Sequence, residues 1–207
     1  MDHKIRRSDK NNVYDSYNRM GDWFDQKRSR DLSFEIHYPD KITSALPAGA
    51  KILDIGCGTG RPIAEYLLKR GFQVTGVDGS HKMIELAKQY VPQARLFLQD
   101  MRSLRLNEKF DALILWHSSF HLPPDDQRSL FKSLKDHANP KALLLFTSGP
   151  GAGEAWGENG GENLYHASLS QDEYKSLLQT HGFSVISLDV DNAASGGATV
   201  WLAAFTG

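Results

Sequence analysis

Residues 51–62, KILDIGCGTGRP, constrain the fold more than any other stretch of the chain. A short apolar run stops at glycines in alternate positions, and a proline follows them. Glycines at such a point permit a tight turn and let a ligand approach the bare main chain. The stretch therefore predicts a buried strand, a ligand-binding turn and a helix in direct succession.

The rest of the chain repeats this alternation of strand and helix. Apolar runs of strand length occupy residues 50–55, 72–78, 94–99, 110–117, 142–148, 183–190 and 198–205. The central runs are almost continuously apolar, as strands covered on both faces are. The pattern predicts an α/β fold of Rossmann-like type, with a seven-stranded, mostly parallel sheet and helices on both faces. The link between the last two runs is too short for a parallel crossover, so we expect the last strand to be antiparallel.

Some helices carry recognisable start signals. Ser80 stands where its side-chain oxygen can cap the helix that follows the second strand. Ser170 and Glu173 match a capping box before a later helix. A further helix is expected from Asp125 to about His137, because a proline follows soon after.

The N-terminal part of the chain falls outside this alternation. Residues 1–46 are charged and aromatic, with Tyr14, Tyr17, Trp23 and Phe24 spaced as one helical face. Ordinary packing of this face onto the domain is one interpretation. We interpret them as an N-terminal helical segment that caps the ligand site of the main domain. That domain, a single globular unit, is expected over residues 47–207.

A second unusual segment lies inside the main domain. Residues 149–161, GPGAGEAWGENGG, are rich in glycine. Glycine loses more conformational entropy on ordering than other residues do. We therefore expect a mobile loop there, and a lid over the acceptor is one interpretation of it.

Composition limits the classes of function. The formal net charge of −1 supplies no field for holding a polyanion, so we expect no nucleic-acid partner. Cys57 is the single cysteine, which excludes an internal disulfide, and nothing resembles a paired-cysteine metal site. The longest apolar runs are of strand length and the N-terminus is polar, so we expect no membrane partner and a cytoplasmic location.

The glycine pattern separates two classes of ligand. In the dinucleotide pattern the third glycine stands three positions after the second, and here Gly56 and Gly58 match but Arg61 takes the third place. That mismatch disfavours a nicotinamide dinucleotide. Asp78, at the end of the second strand, is placed for the ribose hydroxyls of either ligand class and does not discriminate.

Four stretches in order resemble the motifs of class I S-adenosylmethionine-dependent methyltransferases of the small-molecule type. They are LDIGCGTG with Asp54, VTGVDGS with Asp78, LQDMRSL with Asp100, and FDALILWHSSFHL. The resemblance covers about residues 50–150 and extends to seven strands with a reversed end. It implies the cofactor S-adenosylmethionine, with S-adenosylhomocysteine as its product.

The resemblance also implies cofactor contacts at particular positions of this chain. Asp54 would accept from the ammonium group, Asp78 from both ribose hydroxyls and Asp100 from the adenine amino group. A side chain at Gly56 or Gly58 would occupy the volume of the ligand. The full set of expected cofactor-binding residues is Tyr17, Arg28, Asp54, Gly56, Cys57, Gly58, Asp78, Gly79, Asp100, Met101 and Trp116.

Residues after the fourth motif strand are candidates for the acceptor side. His117 and His121 are the expected catalytic residues, because a histidine titrates near neutral pH and can accept a proton. The expected substrate-binding residues are Trp116, Phe120, Tyr165 and His166. Positioning of the reactants can supply about 7–11 kcal/mol, so a general base is not obligatory.

More than one function fits these observations. A small-molecule methyltransferase is the main interpretation, and the alternatives are a non-catalytic S-adenosylmethionine-binding regulator and an NAD-dependent oxidoreductase. Enzymes that methylate a flipped base carry Asn or Asp, two prolines and an aromatic residue at the fourth motif, and this order is absent here. A small-molecule acceptor of open identity is therefore favoured, for either a monomer or a homodimer.

Overall fold

The computed structural model describes residues 6–7, 9–31, 33 and 35–207. Its strands in chain order are β1 (Arg6–Arg7), β2 (Lys51–Ile55), β3 (Gln73–Asp78), β4 (Arg95–Leu98), β5 (Phe110–Leu115), β6 (Ala138–Ser148), β7 (Gly153–Asn159), β8 (Glu162–Ser168), β9 (Phe183–Asn192) and β10 (Ala198–Phe205). Its α-helices are α1 (Tyr14–Lys27), α2 (His37–Ala45), α3 (Ile63–Lys69), α4 (His81–Tyr90), α5 (Pro124–Asp136) and α6 (Gln171–Thr180). No helix among these described residues is long and apolar enough to cross a bilayer.

The main sheet contains seven strands in the order β4-β3-β2-β5-β6-β10-β9. The strands from β2 to β6 pair in parallel, and β10 lies antiparallel between β6 and β9. The predicted mostly parallel sheet with a reversed last strand is confirmed. The chain first builds outward from β2 to β4 and then returns to β5 on the other side of β2. This reversal opens a crevice at the carboxyl ends of β2 and β5, where such sheets bind ligands.

Alternate side chains of the central strands pack against separate layers of helices. On one face, Leu53 lies in a core with Phe131 of α5. On the other face, its neighbour Ile52 lies in a core with Leu67 of α3. Helices therefore cover both faces of the sheet, as the continuous apolar runs predicted.

The structure confirms most of the predicted helix starts. Ser80 Oγ accepts a hydrogen bond from the main-chain N–H of Met83 at 3.2 Å. Ser170 Oγ accepts from the main-chain N–H of Glu173 at 3.2 Å. The Glu173 carboxylate bonds Arg128 of α5 instead of the main chain, so the return half of the predicted capping box is replaced. α5 begins and ends one residue before its predicted bounds.

The glycine-rich residues 149–161 do not form the loop that their composition suggested. Residues 153–159 form β7, which pairs antiparallel with β8, and β1 pairs parallel with β8. Gly160 and Gly161 make the connecting turn, with φ of +56° and +81°. Positive φ at both turn positions matches the twist of a hairpin and favours glycine. The prediction of a loop is therefore wrong for most of this segment.

The helices α1 and α2 fall within the predicted N-terminal segment, of which residues 1–5, 8, 32 and 34 lie outside the described part. α1 packs on α4, where Lys82 Nζ lies 2.9 Å from Asp22 Oδ1. Ser16 Oγ donates to the Glu162 carboxylate of β8 at 2.9 Å, and Arg19 donates to the same carboxylate at 2.8 Å. α1 therefore bridges α4 and the β7–β8 hairpin.

Candidate active site

The carboxyl ends of the central strands open into a cavity of about 350 Å³, called the first cavity below. Every residue expected to bind the cofactor lines it: Tyr17, Arg28, Asp54, Gly56, Cys57, Gly58, Asp78, Gly79, Asp100, Met101 and Trp116. On the expected acceptor side, His117, Phe120, His121 and His166 also line it. The fold thus brings together residues that belong to several different strands and lie far apart in the sequence.

The glycines that follow β2 are required for different reasons. Gly56 has a φ of +74°, and a Cβ atom there would lie 2.3 Å from Cβ of Ser118. Close packing of the main chain against the residues after β5 therefore requires this glycine. The effect of a side chain at Gly56 on a ligand stays a prediction. At Gly58, with a φ of +54°, the nearest atom to an added Cβ would be Cε1 of Phe24 at 3.9 Å, so a side chain there would enter the cavity.

Cys57 lies between these glycines with its thiol buried. Burial, followed by the charges of Asp54 and Asp78, raises the pKa of this thiol well above its ordinary value. A protonated thiol is a poor nucleophile. Cys57 therefore contributes main chain and volume to the cavity wall, without nucleophilic chemistry.

Two carboxylates form the floor of the first cavity. Asp54 is only 3% exposed, and burial, followed by the charge of Asp78, raises its pKa to about 7. Burial also raises the pKa of Asp78 to about 6, although its carboxylate accepts from the N–H groups of Gly58 and Ser80 at 2.8 Å. No Lys or Arg among the described residues forms an ion pair with either carboxylate. The floor therefore favours a positively charged ligand.

Asp100 has a partner within the chain. Arg102 Nε donates to both oxygens of the Asp100 carboxylate, at 2.9 and 3.0 Å, and the Arg102 main-chain N–H donates at 2.9 Å. Arg102 also lines the first cavity, and its Nη1 lies 3.5 Å from the Asp126 carboxylate of α5. A ligand would therefore meet an Asp100–Arg102 pair at this position, and Arg102 was not among the expected cofactor-binding residues.

Glu35 is a site residue that the sequence analysis missed. Its carboxylate accepts from Nε1 of Trp116 at 2.9 Å, and it lies 3.0 Å from Nη2 of Arg28. Nε2 of His117 lies 3.6 Å from the same carboxylate. Burial opposes ionisation, but His117, Arg28 and Trp116 together hold the pKa of Glu35 below its usual range. Glu35 therefore links two predicted cofactor-binding residues to a predicted catalytic histidine.

Both ring nitrogens of His121 are engaged within the protein. Nδ1 lies 2.9 Å from the carbonyl oxygen of Tyr165, and Nε2 lies 2.9 Å from the hydroxyl of Tyr17. Because a carbonyl only accepts, Nδ1 carries the hydrogen and Nε2 accepts from Tyr17. Burial, followed by a smaller effect of His166, lowers the pKa of His121 to about 3. This corrects the expected proton-accepting role of His121, which instead holds Tyr17 in place.

A second cavity of about 400 Å³ shares a wall with the first. His117, Phe120 and His166 line both. The other lining residues of the second cavity are Ser148, Gly149, Pro150, Gly151, Gly153, Glu154, Ala155, Ala167, Ser168, Ser195, Gly196, Gly197 and Ala198. In the part of the chain that the structure describes, no cluster of histidine, cysteine or acidic side chains is placed to hold a metal ion.

Adjacent residues of β8 face opposite ways, as in any strand. His166 lines both cavities. Tyr165 is fully buried in a cluster with Val13 and Met20 and is not among the residues that line either cavity. The predicted contact of the Tyr165 side chain with a substrate is therefore corrected, and its carbonyl oxygen serves His121 instead.

Comparisons with known proteins indicate the family of the chain. A family model described as a methyltransferase domain matches residues 7–188. The protein YqeM of Bacillus subtilis, which carries a provisional methyltransferase name, is 38% identical over 111 residues, or 51% of this chain and 44% of YqeM. A dTDP-3-amino-3,4,6-trideoxy-alpha-D-glucopyranose N,N-dimethyltransferase of Streptomyces venezuelae is 28% identical over 127 residues, or 60% of this chain and 53% of that protein. The chain thus spans about half the length of these curated relatives.

A solved structure shows the same fold over almost the whole chain. Magnesium protoporphyrin IX methyltransferase from Synechocystis PCC 6803, with bound S-adenosylhomocysteine, matches with a TM-score of 0.74 and 19% sequence identity. The match covers 96% of this chain and all of the other. At this identity the likeness shows a shared fold, and the chemistry has to be argued from the site.

Proposed function

Because the chain belongs to the methyltransferase-domain family, we propose that it transfers a methyl group from S-adenosylmethionine to a small-molecule acceptor. This cofactor is a cation and supplies a methyl group bonded to a positively charged sulfur. The residues of the chain then have to bind a cation, align an acceptor with the methyl group and exclude water from the path between them.

The observation that carries the proposal is the pair of carboxylates on the floor of the first cavity. Asp54 and Asp78 are buried with raised pKa values, and no described Lys or Arg pairs with them. The ammonium and sulfonium groups of S-adenosylmethionine supply the missing positive charge. Asp78 suits the ribose of either ligand class, so the discrimination rests on Asp54. A nicotinamide dinucleotide would bring a negatively charged pyrophosphate near Asp54, and Coulomb repulsion there disfavours the oxidoreductase alternative.

Individual contacts follow from the residues of the cavity wall. The bare main chain at Gly58 would face the methionine portion of the cofactor. Asp78 keeps free lone pairs beyond its two main-chain bonds, and these would accept from the ribose hydroxyls. The Asp100–Arg102 pair would meet the adenine amino group. Arg28, held by Glu35, is the proposed partner of the cofactor carboxylate.

The helix α1 is proposed to cap the first cavity. The ring of Tyr14 packs so closely on Gly79 that an added Cβ would lie 3.0 Å from it. Tyr17 and Phe24 line the cavity and pack edge to face, with ring centroids 5.4 Å apart. These aromatic side chains would keep water from the transfer path, which strengthens the electrostatic contacts inside.

A small molecule is the proposed acceptor. The two cavities have the size of small-molecule sites. The N,N-dimethyltransferase relative is named for a dTDP-linked amino sugar, which is also a small molecule. The absence of a nucleic-acid partner, the monomeric or homodimeric state and the cytoplasmic location stay predictions from the sequence.

Calorimetric titration with S-adenosylmethionine, S-adenosylhomocysteine and NAD tests the cofactor. We expect the first two compounds to bind and NAD to give no binding heat. Binding of NAD without a response to the other two would overturn the proposal.

Turnover separates an enzyme from a non-catalytic regulator. The protein is incubated with S-adenosylmethionine that carries a radioactive methyl group and with a small-molecule cell extract. We expect label to appear in a new small molecule. Tight cofactor binding without any transfer would favour the regulator.

A further inference from the structure

The wall between the two cavities contains few side chains that could take part in chemistry. His117, Phe120 and His166 are the residues that line both cavities. A methyl group that passes from a cofactor in the first cavity to a molecule in the second must pass these side chains. The atoms that meet there decide which proton can be removed from an acceptor.

The second cavity differs from the first in charge. Lys10, Arg28, Arg61 and Arg102 line the first cavity. Among the described residues that line the second cavity there is no Lys or Arg, and Glu154 is the acidic one. An acceptor with a phosphate or carboxylate group would find no cation there, whereas an uncharged or positively charged acceptor would meet hydroxyl groups, main chain and one carboxylate.

One nitrogen of His166 is fixed and the other is open. Nδ1 lies 3.1 Å from the carbonyl oxygen of Leu164, so Nδ1 carries the hydrogen and Nε2 keeps its lone pair. No described residue forms a hydrogen bond with Nε2. Gly157 of β7 fits under the ring, since an added Cβ there would lie 3.4 Å from Cε1. Burial lowers the pKa of His166, so the ring is neutral at neutral pH.

Several titratable groups lie around His166. The ring of His121 lies beside it, with ring centroids 4.7 Å apart and planes tilted by 45°, but both nitrogens of His121 are engaged. Tyr17 donates to His121, and His117 turns its Nε2 toward Glu35. Glu154 lines the second cavity from β7. Nδ1 of His117 also has no described hydrogen-bond partner, but the His117 ring faces the carboxylate of Glu35. His166 is therefore the histidine of the shared wall that pairs with no described carboxylate and has a fixed tautomer and an open acceptor atom.

We infer that the second cavity binds the methyl acceptor, as a molecule without negative charge, and that Nε2 of His166 accepts the proton that the acceptor loses. The inference rests on the proposed function. The acceptor's lone pair forms the bond to the methyl carbon, and the carbon–sulfur bond breaks with its electron pair left on sulfur. The proton of the attacked N–H or O–H group passes to Nε2, and the resulting imidazolium releases it to solvent.

Nitrogen NMR of the ligand-free protein tests the state of His166 without any turnover. The imidazole signals are assigned with the variant His166→Gln. We expect a neutral ring with the hydrogen on Nδ1 at neutral pH, and a pKa below the ordinary 6.5. A charged ring at neutral pH, or a hydrogen on Nε2, would overturn the assignment.

Methyl transfer tests the role directly. In the radioactive assay, His166→Gln should lower the transfer rate by a factor of about 10² to 10⁴, the usual contribution of a general base. The affinity for S-adenosylhomocysteine, measured by calorimetry, should not change. His181→Gln is the control and should alter neither quantity. His181 lies at the end of α6, where its ring stacks on Phe131. An unchanged rate in His166→Gln would refute the inference.

Charge fractionation of the extract tests the acceptor class. The small-molecule extract is separated by ion exchange into anionic, neutral and cationic fractions before the radioactive assay. Label should appear in the neutral or cationic fraction. Label in the anionic fraction alone, or in none while S-adenosylhomocysteine still binds, would contradict the acceptor site. Absence of binding by either cofactor compound would instead count against the proposed function itself.

Discussion

Nε2 of His121 accepts a hydrogen bond from the hydroxyl of Tyr17 at 2.9 Å. Tyr17 belongs to α1, and His121 lies in the turn Ser119–His121 that follows β5. Burial raises the pKa of the Tyr17 hydroxyl far above its ordinary value, so the hydroxyl remains a donor. This bond ties the N-terminal segment to the end of the strand that borders the proposed transfer path.

Tyr17→Phe should therefore lower the free energy of unfolding by more than the loss of a hydrogen bond on the surface would. Without the hydroxyl, Nε2 of His121 is a buried acceptor without its partner, which costs about 1–3 kcal/mol. Chemical denaturation measures the difference in free energy of unfolding. Tyr14→Phe is the matched control on the same helix, because the Tyr14 hydroxyl bonds only the nearby Asn12 among described residues. Equal decreases in the free energy of unfolding of the two variants would show that the Tyr17 bond contributes no more to stability than the Tyr14 bond does.

Asp54 should make the stability of the ligand-free protein depend on pH. Its pKa is raised from 3.8 to about 7. The folded state then holds a proton that the unfolded state has released, so stability falls as the pH rises between these values. The shift corresponds to on the order of 4 kcal/mol. His121, with a pKa lowered to about 3, acts in the opposite direction, so the contribution of Asp54 has to be read from a variant.

Asp54→Asn should remove this decline in stability with pH. Thermal unfolding is followed from pH 4 to pH 8 in wild type, in Asp54→Asn and in the control Asp136→Asn, whose side chain is on the surface. The difference between wild type and Asp54→Asn should grow in favour of the variant as the pH rises. Curves that stay parallel would contradict a raised pKa at Asp54.

The same carboxylate should couple cofactor binding to protons. A positively charged ligand favours ionised Asp54, so the affinity for S-adenosylmethionine should rise with pH up to about 7 and then level off. Calorimetry in buffers of different ionisation enthalpy should detect proton release below that pH. Asp54→Asn should weaken binding by about tenfold or more, as loss of a charge-assisted bond does. Unaltered affinity in this variant would remove the main support for a cationic ligand.

The sheet and the floor of the first cavity could be predicted because their signals are local in the chain. Continuous apolar runs indicate strands covered on both faces, and an acidic residue at the end of such a run lies at the edge where ligands bind. Asp54 and Asp78 therefore reach one cavity whatever the details of packing.

The remaining site residues depend on contacts that no local pattern encodes. Glu35 lies in the connection between α1 and α2, and its hydrogen-bond partner Trp116 is distant from it in the sequence. In both His121 and His166 the Nδ1 atom meets a carbonyl oxygen of β8. Their roles differ because Nε2 of His121 accepts from Tyr17 whereas Nε2 of His166 has no described partner, and that depends on how α1 packs. The β7–β8 hairpin did have a local signal, since Gly160 and Gly161 fit a two-residue turn. The high glycine content led instead to the prediction of a loop, which is wrong for residues 153–159.

Gly56 and Gly58 should respond differently to alanine. Gly56→Ala places a Cβ against Ser118 and needs a left-handed φ, so it should lower the free energy of unfolding by about 1–3 kcal/mol or more. Gly58→Ala also needs a left-handed φ but meets no close neighbour, so it should destabilise the protein less than Gly56→Ala while it reduces the affinity for S-adenosylhomocysteine. Denaturation and calorimetry on both variants check this contrast. Equal effects on stability would mean that the two glycines serve the same purpose.

Glu162 should couple α1 to the β7–β8 hairpin. It is buried and accepts from Ser16 and Arg19 of α1. Glu162→Ala leaves these donors without the carboxylate, so hydrogen exchange should speed up in α1 and in the hairpin together. Glu158→Ala, on the exposed side of β7, is the control and should leave α1 unaffected. Faster exchange in the hairpin alone would show that the two elements open independently.

The second cavity can be filled without disturbing the first. Gly151 lines the second cavity, has no atom within 4 Å of an added Cβ, and does not need a left-handed φ. Gly151→Trp should therefore preserve stability and the binding of S-adenosylhomocysteine while it abolishes transfer in the radioactive assay. Gly207→Trp is the matched control, because a Cβ at Gly207 is equally unhindered. Transfer at the wild-type rate by Gly151→Trp would place the acceptor elsewhere, and weaker cofactor binding would show that the two cavities are not separate.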